Sequence, residues 1–66
     1  MKNTDPNYTP GTVLTYEDMA NPRSSYTVIR RREWAVLGVK GTDYELRSES
    51  GERVFSDCRQ AGWRVA

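Results

Sequence analysis

Short runs rich in Val, Tyr, Trp, Ile and Thr recur from Gly11 to the last residue, and Gly, Asn, Pro, Ser and Asp separate them. β-Branched and aromatic residues favour strands, whereas these separators favour turns. The runs cover residues 12–16, 26–32, 34–39, 44–48, 52–55 and 63–65. Several short strands at this spacing are typical of a small all-β barrel or sandwich.

The chain has 66 residues, so we expect one small domain. A domain of this size buries only about 60% of the surface that its unfolded chain exposes. Cys58 is the only cysteine and there is no histidine, so an internal disulfide and a Cys/His zinc site are both excluded. We therefore expect no metal and no cofactor, and we expect packing or self-association to stabilise the fold.

The cellular location is predicted from the absence of a long apolar run and of a second cysteine. No apolar run approaches the roughly 20 residues that a membrane-spanning helix needs, so we expect no membrane partner. A single thiol is compatible with a reducing compartment, and the predicted location is the cytoplasm.

The chain divides into a flexible N-terminal arm, residues 1–10, and a single β-barrel domain, residues 11–66. A long loop over residues 17–25 contains the turn signal Asn21-Pro22. We predict a hairpin bend at residues 31–33, because a continuous strand of about 14 residues would exceed the usual 3–10; one long bent strand is the alternative. Further turns are predicted at residues 40–43, with Gly41 at positive φ, and at 49–51.

This order of elements resembles the SH3-like barrel, in which a helical turn separates the last two strands. The resemblance covers residues 11–66 and rests on strand spacing, since the peptide-binding SH3 signature is absent. The predicted fold is an all-β, small SH3-like five- or six-stranded barrel, with one short 3₁₀ turn at residues 56–62 before the last strand. An OB-like five-stranded barrel is the alternative.

Catalytic chemistry is not expected. There is no histidine for proton transfer near neutral pH, no Gly-rich phosphate loop and no nucleophile elbow. The sequence therefore predicts a non-catalytic interaction module that binds another protein or itself, as a homodimer.

Seven aromatic residues are many for a chain of this length. We predict that Phe55, Trp63 and Leu46 lie in the core, with Val28, Val36 or Leu37, and that some tyrosines lie on the surface beside the long loop. Exposed Tyr is common in interaction hot spots. The alternative is that these tyrosines are half-buried with hydrated hydroxyls. The predicted partner-binding residues are Tyr16, Met19 and Tyr26.

Weak nucleic-acid binding is the alternative function. It would use a basic strand end together with exposed aromatic side chains, and Arg53, Arg59 and Arg64 could extend the basic face. Strand alternation places Arg30 and Arg32 on one face and Arg31 on the other, so the triplet cannot act as one patch. The net charge of +1 also argues against a dedicated nucleic-acid binder. The residues predicted for this alternative are Arg30, Arg31, Arg32, Trp34, Lys40 and Arg47.

Overall fold

A computed structural model describes residues 7–66 of the chain. It contains five strands: β1 (Val13–Tyr16), β2 (Ser24–Val36), β3 (Val39–Ser48), β4 (Arg53–Ser56) and β5 (Trp63–Val65). They form one antiparallel sheet in the order β4-β3-β2-β1-β5. The all-β prediction is confirmed.

The sheet is open, because its outer strands, β4 and β5, do not pair with each other. The closed barrel predicted from the sequence is therefore not observed. The predicted 3₁₀ turn is also absent, and residues 7–66 contain no helix. In its place the Trp63 N–H donates to the Gln60 carbonyl (3.2 Å), which closes a single turn before β5.

β2 and β3 form one long hairpin, and two predicted turns within it are wrong. β2 continues for 13 residues through the predicted bend at residues 31–33, and β3 continues through the predicted turn at residues 40–43. The chain reverses instead at Leu37 and Gly38, between the paired residues Val36 and Val39. Both turn residues have positive φ, 50° and 81°, as the type I′ hairpin turn requires.

Gly41 has a different role from the predicted one. It pairs with Trp34 inside the ladder, and the Trp34 indole occupies the space where a side chain at position 41 would lie. A glycine is therefore needed at position 41 because the Trp34 indole approaches the backbone closely, and not because the backbone has a positive φ.

The core lies on one side of the sheet, here called the core face. Its buried residues come from β1, β2, β3 and the segment before β5, and four partly buried aromatic or aliphatic residues pack against them. Among the latter, Tyr8 donates its N–H to the Tyr44 hydroxyl (3.1 Å), although residues 1–6 of the predicted N-terminal arm lie outside the described residues. The buried residues are Leu14, Val28, Tyr44, Leu46 and Cys58.

Half of the hairpin extends beyond the rest of the sheet. β1 pairs with β2 only over residues 24–27, and β4 pairs with β3 only over residues 44–47. Residues 32–43 thus form a two-stranded projection, here called the hairpin arm. A β-bulge at Ile29 lies close to its base, and bulges bend and twist the strand that contains them.

Candidate functional site

No strand or helix of residues 7–66 packs on the second side of the sheet, here called the open face. Strand alternation and cross-strand register place seven charged side chains on it. Five arginines against two carboxylates give this face a formal charge of +3, although the whole chain carries only +1. The open face is therefore basic in a nearly neutral protein. Its charged residues are Arg30, Arg32, Arg47, Arg53, Arg64, Asp43 and Glu45.

The two carboxylates are held by arginines of the same face. Glu45 is only 6% exposed. It accepts a hydrogen bond from Arg30 Nε at 2.7 Å and another from Arg53 Nη1. The hydrogen bond from Arg30, followed by that from Arg53, lowers the pKa of Glu45 below its ordinary value. This carboxylate is therefore ionised at neutral pH and fixes two guanidinium groups side by side.

Asp43 forms a bidentate pair with Arg32, whose Nε and Nη2 donate to its two oxygens at 2.7 and 2.9 Å. This pair lowers the pKa of Asp43, and it raises the pKa of Arg32. The Arg32 guanidinium also lies 4.4 Å from the ring centroid of Phe55. Arg32 is thus fixed over an aromatic ring.

Two aromatic rings are exposed on the open face. Phe55 is 51% exposed and Trp34 is 42% exposed. The prediction that Phe55 lies in the core is wrong, because Val54 pairs with Leu46 on the core face and Phe55 therefore points the other way. Large apolar rings are usually buried, so a phenylalanine ring exposed to solvent among arginines calls for a functional explanation.

The end of the arm is apolar. Val36 and Val39 flank the turn and are each more than half exposed, and Leu37 is 98% exposed. The prediction that Val36 or Leu37 lies in the core is therefore wrong, because the chain reverses at this point, at the end of the hairpin. Trp34 lies on the same face as the valine pair, two residue pairs closer to the sheet. The turn therefore presents aliphatic side chains at the point farthest from the core.

The predicted partner-binding residues occupy two different environments. Tyr16 and Tyr26 are half-buried, and their rings lie 4.9 and 5.3 Å from that of Trp63. The Tyr16 hydroxyl donates to Asp18 at 2.6 Å, and this hydrogen bond raises the tyrosine pKa. Met19, in contrast, is fully exposed in the loop.

The residues predicted for nucleic-acid binding divide between the two faces. Arg31 and Lys40 lie on the core-face side of the β2–β3 hairpin, and Arg31 pairs with Glu33 at 2.9 Å. Arg53 and Arg64 lie on the open face. Sequence reasoning missed Phe55, since its position depends on strand pairing. The four predicted residues that lie together on the open face are Arg30, Arg32, Trp34 and Arg47.

Cys58 is buried beside Ser56, whose hydroxyl accepts a hydrogen bond from the Cys58 N–H at 3.0 Å. Burial raises the pKa of this thiol to about 11, so it is neutral and weakly reactive near pH 7. Within residues 7–66 no group of three or more His, Cys, Asp or Glu side chains is placed to hold a metal ion. None of the described segments is a helix long and apolar enough to cross a membrane.

Comparison with family models, with curated proteins and with solved structures gave no match.

Proposed function

We propose that this protein is a non-catalytic interaction module that binds a protein surface, on another chain or on a second copy of itself, through the end of its hairpin arm. The observation that carries the proposal is the combination of full exposure and left-handed backbone conformation at Leu37. This side chain is 98% exposed and its backbone has φ = 50°.

Leucine is poorly suited to this turn position. The left-handed conformation costs an L-residue with a side chain about 1–2 kcal/mol, and type I′ turns prefer Asn, Asp or Gly for this reason. The exposed side chain gains no burial that would offset the cost. Strained residues of this kind cluster at functional sites, and a leucine at the tip of an arm is suited to insertion into an apolar pocket.

The neighbours of Leu37 extend the contact. Full burial of a Val or Leu side chain stabilises an association by about 1.5–3 kcal/mol, and Trp is enriched among interface hot spots. Val36, Val39 and the exposed part of Trp34 would therefore contribute to the same interface. The partner surface that fits these groups is concave and apolar.

Two further parts of the proposal come from the sequence. We infer that the meander of β1 to β4, with β5 returning beside β1, is an SH3-like arrangement opened between β4 and β5. Tyr16, Met19 and Tyr26 stay a predicted second contact surface, and Met19 is its most accessible member.

Site-specific photo-cross-linking tests the arm end. The photoreactive residue p-benzoylphenylalanine replaces Leu37 in one variant and Glu49 in the matched control, because both positions are exposed and Glu49 belongs to neither predicted contact surface. Irradiation is carried out on the purified protein and in an extract of the source cells. We expect a cross-linked product of defined mass from position 37, as a dimer or with another protein, which disappears when Val36 and Val39 are replaced by Thr.

Equal products from both positions, or none from position 37 in either sample, would contradict the proposal. Flotation with neutral phosphatidylcholine vesicles is the companion measurement. If Leu37 were needed for flotation, the arm end would bind lipid and the proposal would be wrong.

A further inference from the structure

We propose that the open face binds single-stranded nucleic acid without sequence specificity, with bases stacked on Phe55 and Trp34 and the phosphate backbone near Arg47, Arg53 and Arg64. This site goes beyond the protein contact at the arm end. The two surfaces share Trp34, but each also has residues of its own, which are used to test it.

Positive charge is concentrated on one side of the sheet. The open face carries +3, so the rest of the chain, with five basic and seven acidic residues, carries −2. Lys2 and Asp5, outside the described residues, cancel each other in that count. A polyanion is therefore attracted to one side of the sheet and repelled by the remainder, which orients it before contact. The small net charge hides this asymmetry.

The arginines of the open face have hydrogen-bond donors that the described part of the chain does not use. A guanidinium has five N–H donors. Within residues 7–66, Arg30 is bonded to Glu45 only through Nε, and Arg53 only through Nη1. No ion pair in the same part of the chain involves Arg47 or Arg64. Several N–H groups on this face are therefore available to phosphate oxygens.

The exposed rings decide which nucleic acid fits. Stacking on aromatic side chains requires unpaired bases, which a single strand offers and a duplex does not. Arg32 lies over Phe55, and Trp34 follows Arg32 two residues along the same strand and on the same face. Two residues of a strand span about 6.6 Å, so Trp34 and the Arg32 guanidinium over Phe55 occupy neighbouring positions on the same face. An acidic protein would pair with the arginines but would leave both rings without a function.

The binding test uses fluorescein-labelled oligo(dT)₂₀ and oligo(rU)₂₀ with a duplex of the same length, followed by fluorescence anisotropy at 50 and 200 mM salt. We expect both single strands to bind at 50 mM salt, to bind more tightly than the duplex, and to bind more weakly at 200 mM salt. Phe55→Ala is expected to weaken binding roughly 5- to 160-fold, from the loss of stacking for one base.

Charge variants provide the matched comparison. Arg47→Gln and Arg64→Gln should each lower the single-strand salt slope by up to about 0.7, the value for one phosphate contact. Lys40→Gln removes the same charge from the opposite side of the arm and should change neither affinity nor slope. Leu37→Ser should leave oligonucleotide binding unchanged, which separates this site from the arm-end contact. Thermal melting of every variant identifies any loss of fold.

Three results would overturn the inference. The first is no binding of either single strand at 50 mM salt up to 100 µM protein, as an order-of-magnitude ceiling for non-specific binding. The second is equal weakening by Lys40→Gln and Arg47→Gln. The third is binding of poly-glutamate as tight as that of oligo(dT)₂₀ and unaffected by Phe55→Ala, which would assign the face to an acidic protein.

Discussion

Replacing Leu37 by asparagine is expected to stabilise the isolated domain while weakening its association with other molecules. Leu37 occupies a left-handed turn position with φ = 50°, where leucine costs about 1–2 kcal/mol. Asparagine tolerates this conformation far better. Because the leucine side chain is 98% exposed, its removal sacrifices almost no buried apolar area.

The expected rise in Tm follows from the turn conformation of Leu37 and from the exposure of its side chain. Asn recovers part of the conformational cost, about 0.5–1 kcal/mol, within the range measured when residues are matched to their native φ and ψ. In a domain of 60–100 residues each kcal/mol shifts Tm by about 4–8 °C. We therefore expect Tm to rise by about 2–8 °C and the urea midpoint to rise with an unchanged m-value.

Two controls separate the backbone effect from general removal of a hydrophobic side chain. Met19→Asn removes an equally exposed apolar residue that does not have positive φ, and it should leave Tm unchanged. Gly38→Ala places a side chain at φ = 81° and should lower Tm. A fall in Tm for Leu37→Asn would refute the reasoning, because it would mean that Leu37 makes stabilising contacts in the monomer.

Three other predictions concern the arm and the core. Gly41→Ala should destabilise the domain by about 1–3 kcal/mol, as overpacking does, because the new methyl group would displace the Trp34 indole. Urea denaturation measures this loss of stability, and an unchanged urea midpoint would contradict the prediction. The Asp43 pKa is lowered by Arg32, so the stability that this pair contributes is present above the ordinary aspartate pKa and lost as pH falls through the lower folded value. Stability measured from pH 6 to pH 2 should show this loss, and Asp43→Asn should show a smaller one. Burial raises the pKa of Cys58 to about 11, so the stability that the neutral thiol contributes is complete below its ordinary pKa and is lost as pH rises towards 11. Alkylation by iodoacetamide at pH 8 should be slow in the native protein and fast in urea, and equal rates would show that the thiol is accessible.

The fold class was predictable because it depends on composition and local pattern. β-Branched and aromatic runs separated by turn residues identify strands without any knowledge of their partners. The loop at residues 49–51 was also predicted correctly, since Gly51 has φ = 94° between β3 and β4. Local chemistry specifies such a turn.

The hairpin arm was not predictable from local chemistry. Its turn uses Leu37-Gly38 in place of a sequence such as Asn-Gly, so the usual signal was absent. Gly41 gave a false turn signal, because the indole that requires a glycine there lies seven residues earlier in the chain. The open face could not be assembled either, since the position of Phe55 depends on the pairing of Val54 with Leu46.

The bulge at Ile29 also bears on how this protein could change by insertion and deletion. Val28 pairs with Leu46 and Arg30 pairs with Glu45, so Ile29 is the one residue between Tyr26 and Val36 without a partner in that ladder. Its deletion would restore a regular ladder and leave every pair beyond it intact. What would change is the direction of the arm, because a bulge adds bend and twist at its position. A single-codon deletion could therefore redirect the arm while leaving its own pairs unchanged.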